Sequence, residues 1–235
     1  MNSSRRTARI TGVLYLIIII CAGFSEGFVR SSIIVPGDAA ATADNIVNSE
    51  WLFRVGFVSD LVAFLCDAAV SILLYVLLRP VSKTLSLLAA SFRLLAHPAI
   101  ASINLLNHFI GLSLLSSAGY LKVFEAAQLQ ALVLLFLNMH NIGYLIAGAF
   151  FGVHCFILGY LLYKSDLFPG ILGILMIIAS IGYLTESFGN FLVPGHENIL
   201  QWIVGLSAGI GELSLTFWLL IKGVKNPKQP AIVNN

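Results

Sequence analysis

The chain has 235 residues, of which 58% are hydrophobic and only 10% charged, with a mean hydropathy of +0.93 and a formal net charge of +2. A soluble domain carries about 25% charged residues, so this composition excludes a water-solvated surface and makes the lipid bilayer the partner. The small net charge argues against nucleic acid, and the length suits one integral membrane domain, 1–235, rather than two domains.

A helix that crosses a bilayer needs ~20 apolar residues. Six stretches qualify, near Ala8–Val29, Trp51–Leu78, Leu85–Ser116, His140–Tyr163, Pro169–Phe191 and Ile199–Ile221, which predicts an all-α, six-transmembrane-helix bundle. Arginines precede the first stretch, as in a signal peptide. However, the residue before Cys21 is not small and the apolar run continues to Val29, so the segment reads as a retained helix. Between the third and fourth stretches, Phe124–Leu137 carries Glu125, Gln128 and Gln130 and reads as a short interfacial helix before helix 4. Residues 225–235, with Pro227 and Pro230, read as a short tail. Cys21, Cys66 and Cys155 lie in apolar runs and read as small buried hydrophobes.

Loop charges orient the bundle. Six spans put Arg5, Arg6, Arg9, Arg79, Lys83, Lys164, Lys222, Lys225 and Lys228 on one side, and only Arg30, Arg54 and Lys122 on the other. Basic residues collect on the cytoplasmic face, so both termini are expected in the cytoplasm of a plasma-membrane protein. Counting Phe124–Leu137 as a seventh span would put Lys164 and the C-terminal lysines outside.

The chain also repeats itself. Gly23-Phe24-Ser25-Glu26-Gly27-Phe28, followed by Val35-Pro36-Gly37, resembles Gly182-Tyr183-Leu184-Thr185-Glu186-Ser187-Phe188 followed by Val193-Pro194-Gly195. The next helix in each copy starts near a tryptophan, Trp51 or Trp202, and carries an acid about ten residues on, Asp60 or Glu212. This predicts a parallel repeat relating helices 1–2 to helices 5–6.

Ionisable residues inside these spans carry the functional signal. Each charge costs roughly 2.5–3.5 kcal/mol at a bilayer centre on insertion scales, so such residues face the protein interior. Glu26, Asp60, His108, His140, Glu186 and Glu212 are the candidate substrate- or ion-binding residues, with Glu26, Asp60, Glu186 and His140 expected around one outward-open pocket free of buried cations. Carboxylates and imidazoles together suit zinc, manganese or iron, and Asp60, His108, His140 and Glu186 are the candidate ligands of a divalent metal. No cofactor is firmly implied; two histidines from different helices would also suit a haem. Asp60 and Asp67, seven residues apart, share a helix face. In the third helix Arg93, His97, Asn104 and His108 form a polar stripe, and Arg93 lies level with Asp67. A structural ion pair between Asp67 and Arg93 is expected. His154 lies mid-membrane, and no P-loop, nucleophile elbow or HExxH motif is present.

The stretch Ile34-Val35-Pro36-Gly37-Asp38-Ala39, the helix start Trp51-Leu52-Phe53-Arg54, Gly159-Tyr160-Leu161-Leu162-Tyr163-Lys164-Ser165, Phe168-Pro169-Gly170 and Gly211-Glu212-Leu213 occur together. The set resembles the bacterial integral-membrane family catalogued as domain of unknown function 4386. That resemblance implies a multi-pass membrane protein and supplies no activity or catalytic residues. A looser similarity, through Ser59-Asp60, is to membrane-embedded metal hydrolases of the alkaline ceramidase type, whose late paired histidines this chain lacks. The leading expectation is a multi-pass bacterial membrane protein of unassigned activity that binds or translocates a proton-coupled small solute or cation. The alternatives are a metal-dependent intramembrane lipid hydrolase and a non-catalytic structural or interaction protein.

Overall fold

In lipid every backbone N–H and C=O must be satisfied within the protein, and a chain this apolar does so by folding into helices. The computed structural model describes residues 2–116 and 118–225, with no strand among them. Most of the expected tail, including Pro227, Lys228 and Pro230, lies outside the described residues. Six helices are long and apolar enough to span a membrane: α1 (Ser3–Ile33), α3 (Glu50–Leu78), α4 (Lys83–Ser113), α5 (Ala126–Lys164), α6 (Gly170–Leu192) and α7 (Glu197–Ile221). A short helix, α2 (Ala39–Asn48), occupies the loop after α1.

Local signals set the ends. Asp38 accepts a hydrogen bond from the Ala41 N–H at 2.9 Å to cap α2, after a turn at Gly37 whose φ of +79° favours glycine. Thr42 Oγ1 accepts from the Val35 N–H at 3.0 Å, and Asn45 Nδ2 donates to the Ile33 carbonyl at 3.0 Å, so the loop is tied down. Ser82 caps α4 through the Leu85 N–H at 3.3 Å. Two helices carry π-helical turns, α1 at Ser25–Arg30 and α4 at Leu95–Ala101. The second contains Pro98, which has no N–H to give to the helical ladder.

The fourth span departs from expectation. Phe124–Leu137 is not a separate interfacial helix: from Ala126 the chain runs as one 39-residue helix to Lys164. At ~1.5 Å per residue α5 is about 58 Å long, well beyond a ~30 Å hydrocarbon core. Glu125 and Gln128, whose polarity suggested an interface, form a reciprocal capping box at its start. The first span likewise continues past Val29 to Ile33, which places Arg30 in helix rather than loop.

Each spanning helix packs on the next in chain order, and α7 packs back on α1, closing a ring. α5 and α6 cross closely, since a Cβ on Gly173 would overlap the Gly159 carbonyl oxygen. Arg5 Nε donates to the Lys222 carbonyl at 3.4 Å, so the two described ends of the chain share one face of the bundle. Large apolar side chains such as Leu65, Ile103 and Trp202 point outward, as a lipid-facing surface requires.

Candidate functional site

The ring encloses polar side chains in two layers. One layer, called outer after the orientation expected from the loop charges and its fellow inner, is built at the π-helical turn of α1. Arg30 is fully enclosed and donates from Nε to Glu26 Oε2 at 2.6 Å, one turn back on the same helix. Its Nη1 donates to Asp60 Oδ2 on α3 at 2.6 Å and to Ser25 Oγ at 2.9 Å, while Ser25 in turn donates to the Gly56 carbonyl. The guanidinium lies 5.5 Å from the Tyr144 ring of α5, a cation–π contact. Tyr144 packs edge-on against His140, and His140 edge-on against His108 at 5.4 Å. His108 in turn stacks on Phe53 at 4.0 Å.

Asn104 and His140 clasp α4 to α5. Asn104 Nδ2 donates to the His140 carbonyl at 2.7 Å, and His140 Nδ1 lies 3.1 Å from the Asn104 carbonyl, so that nitrogen carries the proton and donates. The clasp needs Gly143, since a Cβ there would overlap the Asn104 side chain. Among the described residues, four buried atoms of the layer have no hydrogen-bond partner: Asp60 Oδ1, His140 Nε2 and both ring nitrogens of His108. Buried polar atoms are normally paired, and four of the eight unpartnered ones among the described residues fall in this layer.

The inner layer takes one side chain or more from every spanning helix. Arg93 of α4, completely buried, donates through Nε and Nη2 to Asp67 Oδ1 of α3. Its Nη1 reaches Tyr15 of α1 and His154 of α5, each at 3.2 Å. His154 Nδ1 lies 2.8 Å from the Ala89 carbonyl, which assigns the ring proton to Nδ1 and leaves Nε2 to accept from Arg93. Tyr15 donates to Glu212 Oε2 of α7 at 2.9 Å, and Tyr183 of α6 donates to Glu212 Oε1 at 2.6 Å. His97, with 20% of its side chain exposed, places Nδ1 3.2 Å from Asp67 Oδ2. A small cavity beside this layer, lined by Ser71, Ser86 and His154, adjoins the unpartnered Ser86 Oγ.

The layers match in charge. Glu26 and Asp60 face Arg30; Asp67 and Glu212 face Arg93, which leaves each layer one negative charge in excess when its carboxylates are ionised.

Several expectations are corrected by this geometry. Glu26 and Asp60 do have a buried cation between them, Arg30, which the loop-charge count had placed at the surface. Glu26 leaves 56% of its side chain exposed. Glu212, a candidate binding residue, belongs to the inner layer through Tyr15 and Tyr183. Glu186 is half-buried on α6; its backbone carbonyl accepts from Asn190 Nδ2 at 2.8 Å, and its carboxylate bonds to neither layer among the described residues. Asp60, His108, His140 and Glu186 do not form a metal site: among the described residues no three His, Cys, Asp or Glu side chains converge on a point. A guanidinium already takes one oxygen of Asp60, which leaves that carboxylate a single free oxygen. Arg30, Tyr15, Tyr144 and Tyr183 were not anticipated. The four-residue spacing of Glu26 and Arg30 was the signal available for the first; the tyrosines carried none.

Six apolar helices closed around buried ion pairs define a multi-pass membrane protein. The chain belongs to the family described as "Domain of unknown function (DUF4386)", whose model matches residues 10–223. It is similar to a protein of Archaeoglobus fulgidus (strain ATCC 49558 / DSM 4304 / JCM 9628 / NBRC 100126 / VC-16) described as "Uncharacterized protein". The two are 34% identical over 160 residues, covering 68% of this chain and 78% of the relative. No solved structure matches.

Proposed function

We propose that the chain is a bacterial plasma-membrane protein, with both termini in the cytoplasm, that binds or moves a proton-coupled small solute or cation at its outer polar layer. The observation that carries this reading is the set of four unpartnered buried atoms. Asp60 Oδ1 is an acceptor, and so is His140 Nε2, because Nδ1 holds that ring's proton. A neutral His108 adds one acceptor and one donor. Acceptors therefore outnumber donors, and an occupant that satisfies them must itself donate hydrogen bonds: a proton, water, an ammonium or a hydroxyl. The excess negative charge of Glu26 and Asp60 over Arg30 favours a cationic occupant for the same reason.

Asp60 is the residue on which the proton would rest. One oxygen is fixed by Arg30, and the other is buried and bare. Protonation gives that oxygen a hydrogen to share and removes the excess charge, both favourable in a low-dielectric interior. The test is proton uptake by purified protein when a weakly buffered solution is acidified. Wild type should bind a proton that Asp60→Asn does not, the two having the same melting temperature. Equal uptake would overturn the assignment.

A further inference from the structure

We propose that the two polar layers are successive stations on one proton path through the bundle, and that Phe64 is the apolar plug between them. This rests on the reading of Asp60 as the outer proton acceptor. Asp60, Phe64 and Asp67 follow one another at spacings of four and three residues, so all three share one face of α3. Asp60 belongs to the outer layer and Asp67 to the inner. They are about 10 Å apart along the helix axis at ~1.5 Å per residue, and Phe64, 6% exposed, fills the interval.

The neighbours of Phe64 are the edges of the two layers. Its ring lies 6.4 Å from Tyr144, which contacts Arg30 and His140 of the outer layer. On the other side it stacks on His97 at 6.0 Å, with 10° between the planes, and His97 is bonded to Asp67. Ala63, Ala101, Leu105 and Ala147 complete an apolar collar around it. The titratable groups around Phe64 are thus Asp60 and Asp67 on its own helix, Cys21 from α1, His97 from α4 and Tyr144 from α5, with Arg30 and Arg93 one contact further away. An apolar constriction of this kind blocks conduction by staying dry and opens by wetting.

Charge gives the sequence of states. A proton from external water neutralises the Asp60 carboxylate. When water enters the collar, that proton passes to the His97 ring; Asp60 becomes a carboxylate again and the imidazole an imidazolium beside Asp67. The imidazolium then releases the proton to water on the far side and returns both layers to their starting charge. One proton is lost by the first group and gained by the second, and each layer is neutral only while it holds the proton. His97 lies within the π-helical turn of α4 and Asp60 is bonded to the π-helical turn of α1. Such turns are often found where a helix serves a function.

The experiment uses full-length protein in liposomes with a trapped pH-sensitive dye, and follows proton entry driven by a potassium-diffusion potential. Phe64→Ala should raise proton entry by ~10-fold or more, equivalent to lowering the barrier by about 1.4 kcal/mol. Phe64→Leu, which keeps the plug apolar and large, should remain as tight as wild type. Adding Asp60→Asn to Phe64→Ala should return entry to the wild-type rate. If Phe64→Ala fails to fold, Phe64→Val replaces it in the same comparison. A folded small-residue variant with wild-type proton entry would overturn the plug. So would a leak that Asp60→Asn leaves undiminished, because it would bypass the outer station. Either failure, with Asp60→Asn still lacking its proton uptake, sinks the path alone; loss of that difference as well sinks the underlying reading.

Discussion

At the scale of single residues, Arg93 is the side chain on which the inner layer depends, because two hydrogen bonds join it to Asp67 and three further side chains, Tyr15, His154 and His97, bond to that pair. Removing one member of a buried pair strands the other charge, at about 3–5 kcal/mol, whereas replacing both with apolar groups is nearly neutral. Asp67→Leu and Arg93→Leu should each lower the melting temperature in detergent, and the double variant should recover most of the loss. Purely additive losses would show that the two side chains act separately. The juxtaposition of Asp67 and Arg93 was legible because two adjacent helices each placed one charge at similar depth. Arg30 was not, since a basic residue beyond an apolar run looks like a loop flank until the helix is seen to continue to Ile33. The tyrosines that hold Glu212 were invisible for a different reason: an aromatic in an apolar run reads as packing, and nothing in its spacing says that the hydroxyl finds a carboxylate.

At the scale of elements, the lengths of the helices were less legible than their number. Glu125, Gln128 and Gln130 broke the hydropathy of α5, yet the capping box and the continuous helix show that polarity there marks the end of a long helix outside the hydrocarbon. Its contact with α6 depends on absent side chains. A Cβ on Gly173 would also lie 2.8 Å from the Tyr163 Cβ, and on its other side it meets backbone, which has no rotamer to give. Gly173→Ala should therefore push α5 and α6 apart and cost about 1–3 kcal/mol, the usual range for overpacking. Gly23→Ala, where a Cβ meets nothing within 4 Å, serves as the control and should melt as wild type does. Equal melting of the two variants would contradict the close crossing. The sequence repeat also has a limit at this scale: Arg30, four residues after Glu26, corresponds to Asn190, four after Glu186. The second copy therefore has no cation to build an outer layer, and its acid Glu212 is bonded to tyrosines instead.

At the scale of the whole molecule, composition and run length were enough to read an all-helical bundle with six spans, because the bilayer sets both the length and the polarity of its elements. The closed ring in chain order was not legible: helices apolar on several faces do not announce which face meets a neighbour and which meets lipid. Orientation is a prediction of charge. With Ser32→Cys or Lys225→Cys in a chain whose native cysteines are replaced, an impermeant thiol reagent on intact cells should label position 32 and spare position 225; the reverse pattern would invert the protein in the membrane. The central claim, that the outer layer holds a proton on Asp60, is tested most directly by pH-difference infrared spectroscopy of the reconstituted protein. The account predicts a protonated-carboxyl band that grows on acidification in wild type and is missing in Asp60→Asn, with the amide bands of the helices unchanged. A band of the same size in Asp60→Asn, or no such band in wild type, would contradict it.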